Sequence, residues 1–195
     1  MNKGIFYKII PPNLFKSVPW RNGLGTTNEL IIKYIQGYGN FIWRISIAGV
    51  KTDGPFSEFS GYERYLLMLE GNGLDLVHSD GSRRELRDIL DVANFSGELR
   101  TNATLINGEI KDFNVMSLRE KCRTSVEILS GESEIEKDSD ELFVYNHEKD
   151  SIILIGNNEL TLPKQNLFHL IDSGTEKLIL KSTDSILIKI TYIGK

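Results

Sequence analysis

Short runs of β-branched and aromatic residues, separated by glycine, aspartate and asparagine turns, recur along the whole of this chain. Phe41-Ile-Trp-Arg-Ile-Ser-Ile-Ala48 is one such run and contains no breaker. Tyr65–Leu69, Thr104–Ile106, Phe113–Met116, Ser125–Leu129, Leu142–Tyr145, Ser151–Ile155, Leu178–Lys181 and Ile186–Tyr192 share its character and suit a pleated, half-buried surface. Between them stand Asp53-Gly54-Pro55, Gly71-Asn-Gly73, Ser79-Asp-Gly81, Asn107-Gly108, Gly156-Asn-Asn158 and Ser173-Gly174, all with turn chemistry. Many short strands joined this way predict a β-sandwich or barrel and not βαβ units. Helix is scarce; the best candidate is Arg83 to Val92. The order strand, turn, strand runs twice, first to Met116 and again from Cys122 to the Ile186–Tyr192 run. We therefore expect an all-β chain of two barrel-like halves packed as one unit. Residues 1–120 form the first half and 121–195 a more degenerate second, with exchange of terminal strands between them left open.

Composition narrows the setting. The chain has 195 residues, 40% of them hydrophobic, enough for one large all-β domain or two small fused ones. No apolar run approaches the ~18–20 residues that span a bilayer. Met1 to Ile10 lacks the long apolar centre and small-residue cleavage site of a secretory leader. The lone Cys122 is expected as a small core hydrophobe, and a single thiol fits a reducing cytosol. A net charge of −4 gives no basic stripe for phosphate. The clusters Ser82-Arg-Arg-Glu-Leu-Arg87 and Arg119-Glu-Lys-Cys-Arg123 carry their own acids and read as solvated surface. The expectation is a cytoplasmic protein with neither nucleic acid nor membrane as partner. Residues 132–141 hold six acids and one lysine and are expected as an exposed loop. His78, His147 and His169 are scattered, and none has a His or Cys partner at ligand spacing, so surface or capping positions are expected.

The stretch Phe56-Ser-Glu-Phe-Ser-Gly-Tyr-Glu-Arg-Tyr-Leu-Leu-Met-Leu-Glu-Gly71 resembles a cupin metal motif with its histidines removed. Such a motif reads His-x-His, then Glu, then an apolar strand ending in Gly. Glu63 stands eight residues before Gly71 as the pattern asks, but Ser57 and Phe59 occupy the histidine places. The second motif usually reads His-x-x-x-Asn, and in Ile110-Lys-Asp-Phe-Asn114 the histidine place holds Ile110. Zinc, iron and copper are held by several imidazole, thiolate or carboxylate groups together. One Glu beside a Phe does not supply them, so neither a metal nor another cofactor is expected.

Four further segments carry a more specific likeness. They are Pro19-Trp-Arg-Asn-Gly-Leu-Gly-Thr26 with Glu29, Trp43-Arg-Ile-Ser-Ile-Ala48, and Asp53-Gly-Pro-Phe-Ser57 running on to Gly61 and Arg64. The last is Phe95-Ser-Gly97 leading to Asp112-Phe-Asn-Val-Met116. In this order they resemble the HutD/Ves family, strongly over residues 5–120 and weakly beyond. The resemblance implies a bicupin, two RmlC-like barrels. It also implies a governor of histidine utilisation that binds an intermediate such as urocanate or an N-formyl- or N-formimino-glutamate. The sequence departs from the family at Leu24, where a glycine is usual; a positive φ there would strain leucine. Cupins often pair through sheet edges, which makes a symmetric homodimer the expected assembly.

Period-two alternation supplies the candidate ligand residues. On Phe41–Val50, Arg44, Ser46 and Ala48 share one face, small and polar with one arginine, suited to an anionic guest. A guanidinium binds carboxylate through a fixed fork of donors; alternatively Arg44 pairs with an internal acid, Glu63 or Glu29. On the next run either Glu63, Tyr65, Leu67 and Leu69 face the interior, or Arg64, Leu66 and Met68 do. The cupin pattern favours Glu63 and the family likeness Arg64. A metal-free pocket has less use for an unpaired buried carboxylate, which tips the balance to Arg64. Asp112 and Asn114 share a face and could meet a ligand or satisfy turn backbone. Asn22, Thr26 and Thr27 lie on a loop-like segment that could cover a barrel mouth. Gly23-Leu-Gly25 lacks the Gly-Lys-Ser/Thr of a phosphate loop. No catalytic residue is assigned. For a metal-independent isomerase or hydrolase, Glu63 and Asp112 are the available acid–base groups.

Overall fold

Strand Phe41–Val50 is buried on both of its faces: Trp43 and Ile45 on one, Ser46, Ala48 and Val50 on the other. The same holds for Tyr62–Glu70, where Leu66 and Met68 on one side and Leu67 and Leu69 on the other are shielded from solvent. The computed structural model describes residues 5–20, 25–35, 40–172, 174 and 176–194. Two compact units divide the chain: Phe15–Cys122, and Met1–Leu14 together with Arg123–Lys195.

In the Phe15–Cys122 unit a six-stranded sheet runs in the order Lys16–Pro19, Gly25–Tyr34, Phe41–Val50, Ile110–Leu118, Tyr62–Glu70, Val92–Ser96. A four-stranded sheet of Gly54–Pro55, Thr101–Leu105, Leu74–His78 and Arg83–Leu86 accompanies it. All pairs are antiparallel. Val50, Leu66, Met68, Leu74, Leu76, Phe95 and Ile110 form its main apolar cluster. A smaller cluster of Phe41, Tyr62 and Met116 packs with Ile32, Phe59 and Leu118. Burial of such side chains supplies most of the stabilisation, roughly 25 cal/mol per Å² of apolar surface.

The second unit holds one seven-stranded sheet. Its path is Phe6–Ile10, Leu167–Asp172, Glu141–Asn146, Leu178–Tyr192, Ser151–Ile155, Asn158–Leu162, with Cys122–Ile135 also paired to Leu178–Tyr192. Its core gathers Leu142, Val144, Ile153, Ile155, Phe168, Leu180 and Leu187.

Several expectations change. Arg83 to Val92 is not helical: Arg83–Leu86 is a strand paired with Leu74–Val77, and Val92–Ser96 is another. The only helix among the described residues is a 3-10 turn at Pro12–Leu14, so none is long and apolar enough to cross a membrane. The stretch from 178 to 192 is one continuous strand, its first half paired with Ser151–Ile155 and its second with Glu141–Asn146. Of the acidic residues 132–141, 136–140 form a mostly exposed loop as expected, but the rest do not. Their start belongs to strand Cys122–Ile135, and Glu132, Glu134 and Asp138 pair with Lys181, Lys177 and Lys189. Strand Phe6–Ile10 belongs to the second unit, where it hydrogen-bonds to Leu167–Asp172. Cys122 is buried.

Candidate ligand-binding site

The face of Phe41–Val50 that carries Arg44, Ser46, Ala48 and Val50 borders a cavity of about 400 Å³ inside the Phe15–Cys122 unit. Arg64, Asp112 and Asn114 line it from the adjoining strands, Thr27 and Glu29 from Gly25–Tyr34, and Phe56, Ser57 and Phe59 from the segment beyond Gly54–Pro55. Register explains the convergence: Asn114 lies opposite Ser46 and Leu66, and Met116 opposite Arg44 and Arg64. Side chains two apart on neighbouring strands therefore stack on one face.

Arg64 is buried, with 7% of its surface exposed. One terminal nitrogen donates to the Ser57 carbonyl (3.3 Å) and the other to Asn114 Oδ1 (3.2 Å). Its guanidinium lies over Phe95 (5.0 Å), Phe56 (5.6 Å) and Phe59 (5.7 Å), where ring quadrupoles attract a cation. Burial pulls its pKa down to about 10, against the attraction of Asp112. Arg44 sits over Phe41 (5.0 Å) and Phe59 (5.5 Å) and points Nη2 at the Met116 sulfur. Burial lowers its pKa too, and Glu29 opposes that. The Nε atoms of both arginines are buried without a hydrogen-bond partner among the described residues. Among the described residues neither guanidinium forms an ion pair.

Asn114 is the hinge of the polar wall. Its Oδ1 accepts from Arg64 and its Nδ2 donates to Asp112 Oδ1. Asp112 is 1% exposed. Burial drives its pKa up to about 7, while Arg64, Asn114 and the Ala48 backbone oppose the shift. Both residues sit in mid-strand, in Ile110–Leu118, and do not cap a turn.

The sequence candidates thus sort plainly. Arg44, Arg64, Ser46, Asp112 and Asn114 are brought together. Glu63 is not: it lies on the opposite face, accepting from Asn94 Nδ2 at 2.6 Å and 3.7 Å from Arg119. Thr26 is exposed and its neighbour Thr27 takes the cavity position, since alternation turns one of the two outward. Asn22 and Leu24 fall outside the described residues. Gly25, Thr26 and Thr27, expected in a loop, lie in strand Gly25–Tyr34. Trp20 donates from Nε1 to Thr27 Oγ1 at 2.9 Å. A Cβ on Gly25 would stand 2.7 Å from the Gly49 carbonyl and 2.8 Å from the Trp20 ring, so glycine permits this corner.

Sequence reasoning overlooked the aromatic wall of Phe56 and Phe59. The signal was present in Phe59 itself, an aromatic standing where the metal motif has histidine. It also expected surface or capping positions for the histidines. His78 is 3% exposed, with Nδ1 2.8 Å from Thr101 Oγ1 and its ring against Phe95 at 4.8 Å. His147 is buried as well, and His169 meets Glu141 at 2.8 Å. No group of three His, Cys, Asp or Glu able to hold a metal occurs among the described residues.

Comparison with known proteins places this geometry. A protein of the hutC 3′ region of Pseudomonas putida is 34% identical over 121 residues, 62% of this chain and 63% of its own length. Protein Ves of Escherichia fergusonii is 37% identical over 110 residues, 56% of each chain. The matched part thus spans less than two thirds of either relative. In three dimensions HutD from Pseudomonas fluorescens superposes with a TM-score of 0.87 at 24% identity, covering 97% of this chain and 100% of that one. A cupin 2 conserved barrel domain protein from Leptotrichia buccalis gives 0.55 at 11% identity over 95% and 96% of the two chains, a likeness of fold alone. The all-β architecture is that of the cupins. The HutD family profile matches residues 13–188, and the chain belongs to the HutD family.

Proposed function

We propose that this protein is a metal-independent receptor for a small carboxylated molecule, acting in the control of histidine utilisation. The ligand occupies the cavity of the Phe15–Cys122 unit. The observation that carries the reading is the pair Arg44 and Arg64, turned into one cavity with buried Nε donors that no described residue satisfies. Unmet buried donors are costly, and a carboxylate is the group that fits a guanidinium fork. Phe56 and Phe59 offer flat apolar surface to the rest of the ligand. Ser57, Phe59 and Ile110 at the histidine places of the cupin motif support metal independence. The setting of the P. putida relative, in the hutC 3′ region, supports the pathway, with a regulatory role and an intermediate such as urocanate or an N-formyl- or N-formimino-glutamate as ligand. Titration calorimetry with these three acids tests it: saturable binding to at least one is expected. Folded protein that binds none at millimolar concentration contradicts it.

One observation favours a second reading, a metal-independent enzyme acting on a related acid. Asp112 borders the cavity with its pKa held near neutrality, where acid–base groups work best. Glu63 drops out, since it faces away. NMR of the same acids incubated with the protein distinguishes the two: conversion that Asp112→Asn abolishes makes the protein an enzyme, and unchanged spectra leave it a receptor.

A further inference from the structure

Asp112 and Arg64 share a single amide. Asn114 donates to one and accepts from the other, so any charge placed on Arg64 is felt by Asp112 through one side chain. The other groups around Asp112 are few. Strand Phe41–Val50 contributes Arg44 beside neutral Ser46 and Ala48; strand Tyr62–Glu70 contributes Arg64 beside Leu66 and Met68; strand Gly25–Tyr34 contributes Glu29. Behind Phe95, His78 interacts electrostatically with Arg64. Among the described residues two cations and two acids therefore line one cavity, and no described ion pair ties an acid to either guanidinium.

An anion arriving on Arg64 takes up the charge that Asp112 otherwise balances. Two negative groups confined in a low-dielectric cavity disfavour each other's ionisation, and the one that can gain a proton does so. A ligand carboxylate ordinarily titrates well below neutrality, whereas burial already holds the Asp112 carboxyl close to it. Asp112 is the group that yields. We propose that Asp112 determines the charge this cavity accepts: an anionic ligand enters together with one proton, which the Asp112 carboxyl takes up. The balance is simple: anion plus proton plus ionised Asp112 gives bound anion beside neutral Asp112. The proposal rests on the cavity being an anion receptor. Its consequence is a ligand held near neutral pH and released as pH rises.

N-formyl-glutamate is a suitable probe, because none of its groups titrates between pH 6 and 10. Calorimetry at pH 7.5 in triethanolamine and in Tris, two non-anionic buffers of different ionisation enthalpy, reads proton uptake. A pH series reads affinity. Uptake of up to about three-quarters of a proton per ligand is expected at pH 7.5, the fraction of Asp112 ionised beforehand, with affinity falling by up to about tenfold per pH unit above about 7. Asp112→Asn should bind with no uptake and a flat pH profile, and more tightly than the wild type at pH 8.5. If that variant does not fold, the carboxyl ¹³C titration of wild-type Asp112 with and without probe reads the same quantity: its midpoint should rise on binding. Binding of the probe with no uptake and pH-independent affinity overturns the proposal and leaves the receptor reading intact. Failure of the probe to bind at any pH overturns both.

Discussion

A guanidinium that is buried, walled by three phenyl rings and left with an Nε that no described residue satisfies is held ready for a partner, and Arg64 meets each condition. Replacing it by a flexible apolar chain, Arg64→Met, should weaken carboxylate binding by about tenfold to a hundredfold, the range of a charged hydrogen bond. Thermal stability should fall, by about 1–3 kcal/mol, because Asn114 Oδ1 and the Ser57 carbonyl lose their donor. Calorimetry and a melting curve check both, and unchanged affinity contradicts the assignment. Asp112 leaves a signature in stability as well. Its folded pKa of about 7 exceeds the ordinary 3.8, so the folded state holds the proton more tightly. That contribution is complete below about pH 4 and is lost as pH rises to about 7. Asp112→Asn does not titrate. Its stability relative to wild type should climb by up to about 4 kcal/mol across that window and level off above it, as read by urea unfolding at several pH values. Part of this was legible in the sequence. Alternation alone put Arg44, Ser46 and Ala48 on one face. Alternation did not decide between Glu63 and Arg64, because strand Tyr62–Glu70 is apolar on both sides and a one-residue slip leaves its pattern unchanged; the family likeness and the cost of an unpaired carboxylate favoured Arg64. Thr26 and Thr27 pose the same difficulty, and only pairing with Phe41–Val50 decides it.

Strands with β-branched cores and glycine turns declared themselves; strands built of charged residues did not. Arg83-Arg-Glu-Leu86 consists of good helix formers, yet its backbone pairs with Leu74–Val77 and only Leu86 is buried. The turn that follows is set by Asp91, whose carboxylate accepts from the Arg87 and Asp88 amides at 2.7 and 2.9 Å. A competing hydrogen bond of that kind ends a helix before it starts. The strand that holds Glu132 and Glu134 was missed for a related reason: the lysine partners of this acidic stretch come from Leu178–Tyr192 and the residue before it, some 40 to 50 residues away in sequence. The segment that walls the cavity depends on Gly97. The Phe59 amide donates to the Gly97 carbonyl at 2.7 Å, and the Gly97 amide donates to the Tyr62 carbonyl at 2.8 Å. A Cβ on Gly97 would run into the Phe59 and Tyr62 carbonyl oxygens. Gly97→Ala should therefore displace Phe59, lower the melting temperature by several degrees, about 1–3 kcal/mol, and weaken ligand binding. A variant with wild-type melting and affinity shows that Gly97 holds nothing.

For the molecule as a whole, two readings of the sequence reached the same place by different routes. Turn chemistry and β-branched runs led to an all-β chain, and ordered local segments led to the HutD family; strand pairing and the family profile agree with both. The division of the chain was less visible. Phe6–Ile10 joins Leu167–Asp172 across more than 150 residues, a pairing that no local pattern announces. The cavity, by contrast, lies wholly within Phe15–Cys122, the stretch where the family likeness is strongest. The claim on which the rest depends is that this cavity receives a carboxylate through Arg44 and Arg64. A crystal structure of the protein soaked with N-formyl-glutamate tests that most directly. The account predicts a carboxylate within hydrogen-bond distance of both guanidinium groups, with Phe59 against its carbon chain. Ligand density elsewhere, with both guanidinium groups turned to solvent, would contradict it.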